Sequence, residues 1–306
     1  MPANLEKQLF SSELQRDLTN NLNNEFLSQS ILLSTGDEKQ VNIPIATSVG
    51  SASVNPSYPL TPSEVTDTAE FFENANHSTP LIAIPDDVEA VLAYDKAGET
   101  RRQFTNILMT SIADYAAHEF AVVGGGGSTT NQTVIETTGT GRAADYTGMT
   151  GTRKALTLED IANARKVLDQ QNLPNTGATR VAVITPEMHA DLMKISEVMN
   201  RNYNMQQGLL NNGSVMEIYG FQFYVRSRVN LYDDSNVLQA VGSAVGATDE
   251  AGAIFYQSDM VYRSQGSVST YVEESSAYQG YTMSSRVRAG FCAPRNVGVV
   301  NVIAAA

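Results

Sequence analysis

The chain has 306 residues, is 42% hydrophobic and carries a formal net charge of −13. Its length and apolar content suffice for a sizeable core, whereas its acidity excludes a protein that grips phosphate through basic patches. The single cysteine, Cys292, excludes an internal disulfide and fits cytoplasmic synthesis.

No stretch approaches the ~18–20 apolar residues of a membrane span, and "MPANLEKQLF" lacks the basic-then-apolar layout of a signal peptide. His77, His118 and His189 are too far apart to share metal-ligand spacing, and no C-x-x-C or H-E-x-x-H occurs. The charge is uneven. From Val41 to Asp95 there are eight carboxylates and no lysine or arginine. Like charges within one loop repel, so this stretch extends unless something positive lies beneath it.

Phe10, Leu14, Leu18, Leu22 and Phe26 recur every four residues and predict a helix over 4–33, although "NNLNN" weakens it because asparagine competes for backbone hydrogen bonds. Val41, Ile43 and Ile45 alternate as in a half-buried strand, and Pro44 favours an edge. "TPLIAIP" (79–85) reads as a second strand, so the two are expected to enclose a long hairpin. Asp86 and Asp87 suit the start of a short helical piece that Gly98 breaks. Phe104, Ile107, Leu108, Ile112, Tyr115, Ala116 and Phe120 then predict a long helix from about 100 to 121, ended by "GGGG" (124–127). Residues 124–153 read as loop or irregular hairpin.

Thr157 and Asp160 form a capping-box pattern, with Leu156 and Ile161 at the staple positions, for a helix ended by Pro174. "TRVAVITPEMHADLMK" (179–194) reads as a strand, then Thr185 as N-cap, Pro186 at N1 and a helix on which His189 is a surface or interface residue rather than a catalyst. Residues 200–212 are a polar loop. "SVMEIYGFQFYVRS" (214–227) is two strands meeting at Gly220, 232–236 a turn, "VLQAVGSAVGA" (237–247) a strand, and "AIFYQ" (253–257) another; the remainder is strand-rich.

No catalytic constellation stands out. The glycine run follows a helix and lacks the Gly-Lys-Ser/Thr of a phosphate loop, and no G-x-S-x-G occurs. The pairs Asp86/Asp87, Asp233/Asp234 and Glu273/Glu274 are adjacent, and neighbours on a strand point to opposite faces. "DDSN" lacks the spaced ligands of a calcium loop. The expectation is a non-enzyme without cofactor or metal.

Two runs carry a resemblance. "GATRVAVITPEMHADLMK" and "NGSVMEIYGFQFYVRS", in this order and separation, resemble the "R-x-A-V-x-x-P-x-x-x-x-x-L" and "G-x-x-x-x-I-x-G-F-x-V" runs of tailed-bacteriophage major capsid proteins, the Hong Kong 97 fold family. The resemblance implies an α+β chain with an N-terminal arm (1–40), an extended E-loop hairpin (41–85) and a P-domain (86–179, with its spine helix near 100–121 and a second helix at 157–171). An A-domain (180–262) and return strands to the P-domain (263–306) complete it. In that family the E-loop lies across the adjacent subunit. The contact residues this implies are Val41, Ile43, Ile45, Tyr58, Glu64, Asp67, Glu70, Phe71 and Phe72, with Arg101 and Arg102 of a neighbour receiving the acidic loop.

No lysine lies between Lys39 and Lys96, so a lysine–asparagine weld from the loop is not expected. About 40 residues precede the hairpin, so scaffolding is either a separate protein or an already removed segment. The implied function is a capsid subunit forming hexamers and pentamers around double-stranded DNA, without sequence-specific binding. Portal, scaffolding and decoration proteins are the implied partners. An encapsulin-type compartment and an unrecognised α/β hydrolase are the alternatives. Deleting residues 50–77 is expected to leave a folded subunit that closes no shell.

Overall fold

A computed structural model describes residues 11–18, 26–46, 54–55, 58, 67–85, 96–122, 133–171, 173, 177–199, 210–211, 214–215, 217–277, 279–294 and 297–306. Residues 11–18 are helical (α1), and a 3-10 turn, Phe26–Gln29, leads into strand β1, Ile31–Ser34. The strands β2 (Gln40–Ala46), β3 (Asp67–Glu73), β4 (Ala75–Ser78) and β5 (Ile82–Pro85) precede the long helix α2, Lys96–Phe120. Then come β6 (Thr133–Glu136), β7 (Gly141–Ala143), β8 (Thr152–Lys154), α3 (Leu158–Gln170), β9 (Arg180–Ile184), α4 (Pro186–Lys194) and α5 (Ser196–Met199). Strands β10 (Leu210–Asn211), β11 (Ser214–Val215), β12 (Glu217–Ile218), β13 (Phe221–Val225), β14 (Asn230–Tyr232) and β15 (Glu250–Gln257) follow. The chain closes with β16 (Tyr262–Gln265), β17 (Ser269–Ser275), β18 (Gly280–Cys292) and β19 (Val299–Ile303).

Two sheets organise the chain. In the first, β18 is central: β16 and β17 pair along one side, β4 and β5 along the other, and β1 joins β16 in parallel. The second runs β12-β13-β9-β15-β19-β6, with β14 beside β15. Strands β9 and β15 are buried on both faces, and period-two alternation sends their side chains to two cores. Val181, Val183, Ile254 and Tyr256 pack with α2, whereas Ala182, Ile184, Ala253 and Phe255 pack with α3 and α4.

Helix α2 stands between the sheets. Phe104, Leu108, Ile112, Ala116 and Phe120 are fully buried, and they meet Met283, Val287, Ala289 and Phe291 of β18 as well as the second sheet. At 1.5 Å per residue its 25 residues span ~37 Å, enough to tie both sheets into one core.

Local signals hold where they are strong. Thr157 caps α3 with both arms of the box formed through Asp160, and Thr185 caps α4 with Pro186 at its first turn. Tyr219 and Gly220 both have positive φ, the tight two-residue turn that joins β12 to β13.

Four expectations are corrected. Residues 31–34 are a strand, not the end of a helix: Ser30 closes a turn on the Leu27 carbonyl, and the Ile31 amide starts pairing at Val261. The partner of β2 is β3, in register from Gln40↔Glu73 to Ala46↔Asp67, while 82–85 pairs with β18 instead. Gly98 lies within α2, which starts at Lys96. Residues 237–247 form irregular chain and turns with one bridge, Leu238 to Tyr232, because their Gly and Ala offer little to pack and hydrogen bonds hold them instead. Arg153 donates to the Ala247 and Asp249 carbonyls, and Asp249 accepts from Gly246 and Gln239. The expected helical piece at 86–95, the glycine run at 124–127 and most of the polar loop at 200–212 lie outside the described residues.

Candidate assembly surface

Strands β2 and β3 form an antiparallel hairpin, and its base is fixed to the first sheet by side-chain alternation. Val41, Ile43 and Phe72 face inward, are buried, and pack on Tyr262 and Cys292. Gly290 of β18 makes this approach possible. A methyl group there would overlap Asn74 Oδ1 and sit 2.7 Å from the Phe72 ring. Asn74 adds a bond from Nδ2 to the Glu38 carbonyl, and its backbone amide donates to the Lys39 carbonyl. The buried trio therefore sets where the hairpin stands.

The other face carries the surface. Phe71 is 59% exposed, and of the described residues towards the tip Val54 is 91% and Tyr58 80% exposed. Ile45 pairs with Thr68 and Asp67 with Ala46 at the far end of the ladder. Glu64 lies outside the described residues.

Beside the hairpin base, a cleft of about 400 Å³ is lined by Glu70, Glu73, Tyr115, Glu119, Phe291 and Cys292 among others. Burial raises the Glu70 carboxyl above its ordinary range. Burial first, then Glu119 and Glu73, pushes Tyr115 to about 12, and burial with Glu70 and Glu119 pushes the Cys292 thiol to about 12. A thiol held neutral in this way is a poor nucleophile and a poor metal ligand. Among the described residues, no three His, Cys, Asp or Glu side chains converge on a metal site.

The arginines expected to receive the loop have other partners. Arg101 pairs with Glu13 and Asp17 of α1 in its own chain, which ties α1 to the start of α2. Arg102 is exposed, at 76% of its side chain, beside Glu99 one turn away. The arginines of β18 read in sequence as a solvated or interface pair, not as acceptors of the loop. Arg286 and Arg288 alternate along it as on one strand face, a signal that depends on recognising 280–292 as a single long strand.

No helix among the described residues is long and apolar enough to cross a membrane. The chain matches no curated protein. Its fold is shared with solved phage capsids. It is similar to the capsid structure of the cyanophage P-SCSP1u at 18% identity, with a TM-score of 0.63 over 91% of this chain and 86% of that one. The capsid of Ralstonia phage GP4 aligns at 11% identity, with a TM-score of 0.63 over 91% of this chain and 87% of that one. The capsid of the cyanophage Pam1 aligns at 13% identity, with a TM-score of 0.61 over 93% and 90%. At such identities the likeness establishes the Hong Kong 97-like α+β fold alone. The family itself follows from sequence: the phage capsid protein family matches residues 82–302, so the chain belongs to that family and is a structural major capsid protein of the virion.

Proposed function

We propose that copies of this chain close an icosahedral head of hexamers and pentamers around double-stranded DNA, held by non-covalent contacts. Residues 1–40 serve as the N-terminal arm and 41–85 as the E-loop. Residues 86–179 form the P-domain with α2 as its spine, 180–262 the A-domain, and 263–306 the return strands. Strands β6 and β19, from 86–179 and 263–306, join the sheet built by 180–262, so the A-domain sheet draws on three parts of the chain. The role is structural rather than enzymatic. Portal, scaffolding and decoration proteins are the further partners.

The observation that carries this reading is the hairpin. Its inner face is packed on its own subunit, while Phe71 and Tyr58 stay exposed, as a strand pair does when a neighbouring copy covers it. The net charge of −13 suits a wall that encloses DNA without clinging to phosphate.

A deletion tests the reading, and the structure moves its limits. Removing 50–77 would take away Phe72, Asn74 and most of β4, which pairs with β18. Removing 49–64 spares the ladder and leaves four residues for the turn. That variant is expected to keep its circular-dichroism spectrum and lose shells in negative-stain microscopy; normal shells would refute the hairpin's role.

A further inference from the structure

Strand β1 closes one side of the first sheet. It pairs with β16 along one edge, and no described strand meets its other edge. Its apolar residues Ile31, Leu32 and Leu33 are 38%, 44% and 40% exposed. Successive side chains on a strand point to opposite faces, so both faces of β1 lie open. An unbroken apolar run is the pattern of a strand buried on both faces, yet here it stands at the rim of a sheet. Among the described residues, the other exposed large apolar side chains are single along the chain.

The run also lies in a neutral stretch. From Phe26 to Gly36 no residue is charged, in a chain whose net charge is −13. The ladder sets Tyr262 opposite Ile31 and a partly buried Arg263 opposite Leu32, and neither β1 nor β16 carries a carboxylate. A register shift between Leu32 and Ser34 leaves Leu33 as a bulge. A bulge keeps an edge from extending its ladder flat. What β1 offers a partner is therefore side-chain contact rather than a place for one more strand.

We infer that β1 meets β1 of a second copy across a twofold axis, with Ile31, Leu32 and Leu33 of each copy covering those of the other. A patch that meets itself brings like charges together. In an acidic chain a neutral, apolar run escapes that repulsion, and this one is both. Such a contact also closes after two copies, so it buries the rim without propagating into a fibre. The assignment rests on the shell reading: a closed icosahedral shell has twofold axes, whereas neighbours around a hexamer or pentamer join through unlike surfaces.

Leu32→Cys treated with a short bismaleimide tests it. Cys292 can stay, because burial and nearby carboxylates hold its thiol neutral. A link from position 32 to position 32 forms only between copies. Peptide mapping is expected to find that link as the main cross-linked species in assembled shells and to find none in free subunits. Shells whose introduced thiol stays open to a maleimide dye, or is shielded without forming the link, would overturn the assignment; shielding alone would mean that a different surface covers β1. A wild-type chain that forms no shells under any condition would overturn the shell reading, and this assignment with it.

Two further variants use charge. Leu32→Asp and Leu32→Lys are each expected to keep the circular-dichroism spectrum of the wild type and to lower shell yield at least about tenfold, since each sets like charges face to face. Mixing the two is expected to restore part of the yield, because opposite charges then meet across the axis. Normal yield from either variant alone, or no gain on mixing, would overturn the assignment.

Discussion

Arg142 shows how single residues fix the second core. Its guanidinium joins Asp145 and Asp191, all three almost wholly buried, and Asp145 also accepts from the Thr185 hydroxyl that caps α4. One side chain thus locks the β7 loop to β9 and α4. Removing it takes the shared cation from two buried carboxylates, leaving Asp145 with Thr185, and Asp191 with Leu156 and Lys194, so Arg142→Ala is expected to cost about 3 kcal/mol in denaturant unfolding. A loss below ~1 kcal/mol would mean that the carboxylates find other partners.

His77 gives a pH dependence of defined sign. It is buried between β4 and α2, bonded to Ser111 at 2.9 Å and edge-on to Tyr115, and burial lowers its pKa to about 4 from 6.5. Between these values the unfolded chain binds the extra proton. The stability is therefore present above pH 6.5 and is lost as pH falls towards 4, by up to about 3 kcal/mol. Thermal unfolding of the wild type should fall across that window, and His77→Gln should flatten the slope. An unchanged slope would place the titration elsewhere.

At the scale of elements, legibility followed locality. The α3 capping box and the Thr185-Pro186 start of α4 were readable because every atom involved lies within a few residues. The pairing of β2 was not. Residues 67–73, "DTAEFFE", show no clean apolar alternation, and only their position over β18 makes Phe72 a core residue and Phe71 a surface one. Gly98 misled for a related reason. A single glycine is tolerated in a helix whose later turns are buried, because packing outweighs a penalty of about 1 kcal/mol.

Among the expected contact residues, Val41, Ile43 and Phe72 position the hairpin, and Phe71 and Tyr58 lie open to a partner. Gly290 is where the hairpin and its platform depend on each other most. Gly290→Ala is expected to lift the hairpin base while leaving α2 and both cores folded. That change would read out as faster protease cleavage near β2 and β3 and as poorer assembly. Protease resistance equal to wild type would show that the base adjusts around the methyl group.

At the scale of the whole molecule, stability and function separate. The two cores are complete within one chain, whereas Phe71 and Tyr58 of the hairpin stay exposed, the surface proposed to meet other copies. Along the hairpin, from Val41 to Glu73, stand four carboxylates and no lysine or arginine, so the proposed contacts with other copies carry charge. Such contacts are individually weak and are screened by salt over ~10 Å at 0.1 M. Assembly should therefore be more sensitive to salt than subunit unfolding is.

Electron cryomicroscopy of assembled shells tests the central claim most directly. The account predicts density in which a neighbouring copy covers the outer face of each β2–β3 hairpin at Phe71, while the inner face stays packed on its own subunit. A hairpin whose outer face meets no neighbouring copy would contradict it.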